Sequence, residues 1–201
     1  MEIDSQQIRV LALVGMPGAG KTLCAKHLEK RGFYQFRFGS IVVDEVHQRG
    51  LPLTPENERL VREEFRHNEG MDVMAKRALP YLRAALQTRP QIVIDGLYSF
   101  SEYRTLHAEF EGRMVVVAII SARSLRYARL AQRPERPLNA REAEERDFQE
   151  IDKLEKGGPI AIADYTLLNN GTAQQLLAEL DALLETLHFY PLLTRPTIQL
   201  P

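Results

Sequence analysis

Residues 8–22 read IRVLALVGMPGAGKT, and the interpretation of the chain turns on this stretch. Residues 8–14 are a nearly unbroken apolar run, rich in branched side chains, that stops at Gly15. Runs of this kind form strands buried on both faces, the usual state of a central strand in a parallel sheet. The octapeptide GMPGAGKT at 15–22 satisfies the pattern G-x-x-x-x-G-K-[ST]. Beyond it, Leu23, Ala25 and Leu28 recur at helical spacing among Lys26, Glu29, Lys30 and Arg31, so strand, loop and helix follow in the order the pattern requires. The residue types then specify the chemistry. Gly15, Gly18 and Gly20, with Pro17 and Ala19 between them, let successive backbone amides turn toward one anion, and the helix amino end adds positive potential. Lys21 is placed to reach the β and γ oxygens of a triphosphate, and Thr22 offers a hydroxyl to Mg2+, so ATP and Mg2+ are the expected ligands. Cys24, on the first helical turn, reads as a packed small residue.

Working outward, a second strand is expected at 33–38, with Ser40 capping a helix over 41–47 that ends at Gly50 and Pro52. Thr54 before Pro55 opens a polar helix running toward Asn68, and 71–88 continues helical after Gly70. QIVID at 91–95 is a third strand, followed by Ser99 and Glu102 as a capping box for a helix through 111. MVVVAII at 114–120, too short and too β-branched for a helix, is a fourth buried strand, with Ser121 as cap of the next segment. From 123 to 156 the chain is polar, and PERP at 134–137 divides it into two helices, the second capped by Asn139 and Glu142. Neither has an apolar face broad enough for the core. A fifth strand fits 165–168. Thr172 and Gln175 then cap a helix whose leucines 176, 177, 180, 183, 184 and 187 form a packing stripe. The tail at 191–201 ends LTRPTIQLP, without periodicity, and is expected along the surface or disordered.

Composition narrows the function classes. The chain has 201 residues, 26 basic against 27 acidic, a formal charge of -1, 44% hydrophobic and 26% charged residues. These values exclude a globally disordered chain and a general binder of nucleic acid or acidic membranes. One cysteine permits neither an internal disulfide nor a cysteine zinc cluster. The start MEIDSQQIRV lacks a basic region followed by a long apolar run, and no segment reaches the roughly 20 apolar residues that span a bilayer. A soluble cytoplasmic protein, monomeric or a small homo-oligomer, is expected. The five histidines form no metal-binding pattern.

Further candidates surround the loop. Asp95 ends a strand whose carboxyl terminus shares a crevice with that of the first, which places it near the water shell of a metal at Thr22. Asp44 follows the second strand and is read either as a group near the acceptor or metal or as a solvated helix residue. Arginines 123, 126, 129 and 133 share much of one helix face, and Arg136, Arg141 and Arg146 follow. They fit a lid that neutralises a transferring phosphate and excludes water, and glutamates 135, 142, 144 and 145 equally fit an exposed, salt-bridged helix pair.

These features resemble the P-loop nucleoside monophosphate kinase superfamily over most of 8–187. The closest likeness is to archaeal-type dephospho-CoA kinase-like and adenylate-kinase-like proteins, through GMPGAGK, the VIDG strand end, the REE and VMAKR stretches, ERD, and ADYTLLNNG. The resemblance implies an α/β, P-loop NTPase three-layer fold: a central five-stranded parallel sheet in the order 2-3-1-4-5, with a helical lid at about 123–156 and an acceptor-side helical insert at about 40–89. Residues 1–190 form one domain in this reading. It further implies Arg129 and Arg133 as catalytic lid residues and Asn169, Asn170 and Gly171 beside the donor adenine, where the same three residues also suit the turn into the last helix. Arg62, Lys76 and Arg77 on the insert, with Arg77 preferred, and Arg104 after Asp95 become candidates for acceptor binding, Lys76 and Arg77 fitting equally the solvent face of their helix. Dephospho-CoA kinases carry a pair of aspartates near the acceptor ribose, where this chain has FRFGSIVVDEV with Asp44 alone. The expected activity is transfer of the ATP γ-phosphate to a nucleotide-like acceptor, with Lys21 and Asp95 central. The alternatives are a partner-regulated P-loop ATPase switch and a non-catalytic ATP-binding module.

Overall fold

Five short strands carry the architecture: β1 (Val10–Val14), β2 (Gln35–Arg37), β3 (Ile92–Asp95), β4 (Met114–Ile120) and β5 (Tyr165–Leu168). They form one parallel sheet in the order β2-β3-β1-β4-β5, the expected order. The structure, a computed structural model, describes residues 8–134 and 136–191, so the tail beyond 191 lies outside the described residues. All five residues of β1 are buried, as are six of the seven in β4, consistent with their runs of branched side chains. The edge strands β2 and β5 are shorter and partly exposed. Leu13 pairs with Asp95, so β1 and β3 finish within a residue of each other and deliver Gly15 and Asp95 to the same end of the sheet.

Nine helices surround this sheet among the described residues: α1 (Lys21–Lys30), α2 (Gly39–Gln48), α3 (Pro55–Glu69), α4 (Val73–Thr88), α5 (Phe100–Phe110), α6 (Arg123–Ala131), α7 (Ala140–Asp152), α8 (Gly157–Ala161) and α9 (Ala173–Thr186). The period-two alternation of β1 divides the core. Val10, Ala12 and Val14 join Met74, Leu82, Ile94 and Leu106 on the face covered by α2 to α5. Leu11 and Leu13 join Leu28, Val117, Leu176, Leu180 and Leu184 on the face covered by α1 and α9. The result is a three-layer fold with α6 and α7 as a helical lid. None of the described helices is long and apolar enough to cross a membrane.

Local sequence rules account for several helix starts. Thr54 accepts from the Asn57 amide ahead of Pro55, and full capping boxes form at Ser99/Glu102, Asn139/Glu142 and Thr172/Gln175. Two expected caps are corrected. Ser40 lies inside α2 and donates to the Arg37 carbonyl at 2.8 Å, because the chain turns into the helix at Gly39 directly from the strand. Ser121 donates instead to the Asn169 carbonyl at 2.8 Å, which serves a contact between strand ends, and Ala122 precedes α6. Strand β2 is shorter than 33–38, since Phe33 leaves the sheet edge to stack on Phe189 at 5.5 Å. Helix α8 falls between the lid and the fifth strand, where the sequence reading placed no element. The lid helices do lack a broad apolar face, yet they bury charge: Arg126, Asp147 and Glu150 are each under 9% exposed.

Candidate active site

The loop between β1 and α1 is shaped by glycines that no other residue could replace without displacement. Gly18 has φ of 78°, and a Cβ there would fall 2.7 Å from the Arg126 carbonyl oxygen. Gly20 has φ of 116°, and its Cβ would meet the Asn169 amide nitrogen at 2.4 Å. Helix α1 starts at Lys21 with no side-chain cap, which leaves its first amides available to an anion. The Lys21 ammonium donates to the Gly15 carbonyl at 2.8 Å. Burial, followed by the positive charge of Lys156, brings the Lys21 pKa down to about 8. Cys24 behind it is fully buried, and burial pushes its thiol up to about 12, so it is a packing residue with no nucleophilic character.

In front of the loop lies a crevice of about 410 Å³. Lys21, Thr22 and Asp95 line its floor, and the lid contributes Arg129, Arg133, Arg146 and Glu150. Lys156 and Tyr98 complete the wall, so five cations face two carboxylates. Such a surplus of positive charge in a partly enclosed space suits a multiply charged anion. Asp95 is three-quarters buried, and that burial raises its pKa against the opposing effects of Lys21 and of Arg37, 3.9 Å away. Thr22 and Asp95 supply a hydroxyl and a carboxylate on the same crevice, a donor set that fits Mg2+ whose other ligands are water and phosphate oxygens.

Arg129 is positioned by its neighbours. It donates to the Ser121 hydroxyl at 3.0 Å and to the Asn169 carbonyl at 2.9 Å. Asn169 is 4% exposed, and its side-chain amide is engaged by the Ala19 carbonyl at 2.8 Å, whereas Asn170 accepts from the Ala122 amide through its side chain. The NNG segment therefore ties the phosphate-binding loop to the start of the lid, with Asn170 and Gly171 exposed beside it.

Two further cavities adjoin the crevice. One of about 190 Å³ is lined by Phe38, Val42, Met74, Arg62 and Arg66, and a larger one of about 700 Å³ lies between α3 and α7. Both share Arg146 and Glu150 with the crevice, and the smaller also shares Tyr98. Of the arginines expected on the acceptor side, Arg62 lines this space. Arg77 does not: it stacks over Phe65 at 3.9 Å and pairs with Glu69. Lys76 pairs with Asp72 at 2.9 Å, and Arg104 is exposed on α5 away from the cavities. Asp44 is exposed on α2 and lines neither the crevice nor the chamber.

Arg66 was missed by sequence reasoning, although its spacing from Arg59 and Arg62 places all three on one face of α3. Its side chain is 10% exposed, the buried Nε has no hydrogen-bond partner, and the closest approach to Glu102 is 3.9 Å. Tyr98, Glu150 and Lys156 were missed as well. No local pattern marks them, because each reaches the site through tertiary packing.

A parallel sheet in this order, a glycine-rich loop from β1 into an uncapped helix, and a cationic lid together define a P-loop protein of kinase-like fold. Residues 11–163 match the AAA domain family. Over 180 residues the chain is 37% identical to a UPF0200 protein of Thermococcus kodakarensis, an alignment covering 88% of this chain and 96% of that one. The chain belongs to the UPF0200 family of AAA-domain P-loop proteins. In fold it is similar to TT1252 from Thermus thermophilus, with TM-score 0.57, 17% identity, and coverage of 90% and 98% of the two chains. It is likewise similar to shikimate kinase from Bacteroides thetaiotaomicron, with TM-score 0.57, 14% identity, and coverage of 88% and 98%.

Proposed function

We propose that this protein is an ATP-dependent phosphotransferase that moves the γ-phosphate to a nucleotide-like acceptor, a nucleoside monophosphate or a dephospho-CoA-like alcohol. One observation carries the reading: the crevice adjoins a second, arginine-lined chamber, and the two share Tyr98, Arg146 and Glu150. A donor site alone has no use for that chamber, whereas transfer requires two substrates in line.

In this reading the loop amides from Gly15 to Gly20 and Lys21 hold the β- and γ-phosphates, and Thr22 with Asp95 holds Mg2+. Held there, Mg2+ would neutralise part of the phosphate charge. Arg129 and Arg133 stabilise negative charge on the transferring group, and lid closure keeps water from competing as acceptor. Asn170 and Gly171 border the donor base. Arg62 and Arg66 orient an anionic group of the acceptor, whose attacking oxygen forms the new bond to phosphorus as the bond to the ADP oxygen breaks. Asp44, outside both spaces, has no part in it. The second chamber, lined by Arg62 and Arg66, favours this reading over a partner-regulated ATPase. We place the enzyme in the cytoplasm, where ATP is abundant.

The test is ADP release from wild type and Lys21→Ala across a panel of nucleoside monophosphates and dephospho-CoA. An acceptor-dependent rate that disappears in the folded variant is expected. Equal release with and without every acceptor, or full turnover in Lys21→Ala, overturns the proposal.

A further inference from the structure

One fully buried lysine in the phosphate crevice has no part in the proposed transfer. Lys156 is 2% exposed and precedes α8. The preceding residue, Glu155, has φ of 54°, a left-handed backbone that is uncommon for a residue with a side chain. Its carboxylate accepts from the Ser101 amide at 3.0 Å and the Ser101 hydroxyl at 2.7 Å, in the first turn of α5. Gly158 sits against the same turn, where a Cβ would fall 2.6 Å from that of Phe100. These contacts fasten the start of α8 to α5. Lys156 therefore belongs to the fixed wall of the crevice, although it follows the lid helices in sequence.

Its ammonium lies 4.8 Å from the centre of the Tyr98 ring and donates to Glu150. Glu150 belongs to the lid helix α7 and also accepts from Arg146 at 3.2 Å. A buried ion pair is a poor device for stability alone, since apolar residues of similar shape do as well without the desolvation cost. Burial lowers the pKa of Lys156 as it does that of Lys21, and the Lys156 ammonium disfavours the charged form of Lys21 across the crevice. An anion with several charges relieves both at once.

We propose that Lys156 is a second phosphate-binding lysine, which Glu150 holds in the nucleotide-free protein and which contacts the γ-phosphate when ATP is bound. The proposal rests on the crevice being the ATP site. It makes Lys156 a sensor of the third phosphate: contact with ATP releases the link between Lys156 and the lid, and ADP offers no group to replace Glu150.

Calorimetric titration with MgATP and MgADP tests this on the full chain. Lys156→Met leaves Glu150 paired only with Arg146, so the double variant Lys156→Met/Glu150→Gln, which removes both buried charges, is titrated alongside it. In either folded variant, MgATP affinity is expected to fall about tenfold or more while MgADP affinity changes less than about twofold, the loss of one charge-assisted contact. Glu150→Gln alone, which keeps the shape and frees the lysine, is expected to tighten MgATP relative to MgADP. Parallel changes for the two nucleotides, or none, overturn the role of Lys156 while leaving the ATP site intact. Failure of the wild-type protein to bind either nucleotide overturns the ATP reading itself, and this proposal with it.

Discussion

The side-chain amide of Asn169 donates to the carbonyl of Ala19 at 2.8 Å, joining the β5–α9 loop to the phosphate-binding loop 150 residues earlier in the chain. The Asn169 backbone carbonyl in turn accepts from Ser121 and Arg129. Loop, strand end and lid arginine thus meet on one residue. Replacing Asn169 with Ala leaves the Ala19 carbonyl unpaired and frees the loop. A stability loss of about 1–2 kcal/mol is expected in urea unfolding, together with weaker ATP binding. Wild-type values for both measurements would show that the contact does not hold the loop.

The Arg126 guanidinium grips Asp147 through two hydrogen bonds, at 2.9 and 2.5 Å, and also donates to the Pro17 carbonyl at 3.0 Å. The pair joins α6 to α7 in a site where both side chains are less than a tenth exposed. Asp147→Ala strands a buried cation and is expected to cost about 3–5 kcal/mol, whereas Arg126→Met/Asp147→Leu recovers most of that loss. Denaturant melts of Arg126→Met, Asp147→Leu and the double give the coupling directly. Additive single-variant losses in the double would count against the pair as the bond between the lid helices.

Arg66 carries an unpartnered, buried Nε beside the chamber proposed to take the acceptor. With an acceptor identified, Arg66→Met is expected to raise the acceptor KM by about tenfold or more, the effect of losing a hydrogen bond to a charged group. The KM for ATP should stay near wild type. A loss confined to ATP, or an unchanged acceptor KM, would move the anion-binding role elsewhere.

Glu102 accepts from the Tyr98 and Ser99 amides through one oxygen, while its other oxygen is buried without a hydrogen bond. Burial raises its pKa above the ordinary 4.5, an effect larger than the opposing pull of those amides and of Arg66. The folded protein therefore binds a proton here that the unfolded chain has already lost. The contribution to stability is full below about pH 4.5 and declines as pH rises toward the folded pKa. Measured against Glu102→Gln, whose side chain does not titrate, wild-type stability is expected to be relatively higher at pH 4 than at pH 7.5. A difference that grows with pH contradicts this.

How far the sequence could be read depended on the range of the physics involved. The apolar run before Gly15, the glycines that admit left-handed backbone, and the Thr54, Ser99, Asn139 and Thr172 caps all act within a few residues. Their consequences stand in the structure as the local pattern implied. Ser40 and Ser121 carried equally good local signals and still failed as caps, because the Arg37 and Asn169 carbonyls offered their hydroxyls better partners. GGPIA carried no local signal for an element and forms a helical turn, where Phe100 supplies a surface that only glycine at 158 can approach.

The chain by itself determined the parallel α/β class, the phosphate-binding loop with Lys21 and Thr22, and the delivery of Asp95 to the same crevice, since strand pattern and motif spacing are properties of neighbouring residues. Tertiary structure alone decided which charges face that crevice. It placed Lys156 and Glu150 at its wall and Arg66 beside the second chamber, while Arg77 went to Phe65 and Arg104 and Asp44 to solvent. Whether a charged side chain meets a ligand, a carboxylate or water depends on what helices distant in sequence bring against it, and no spacing along one helix encodes that.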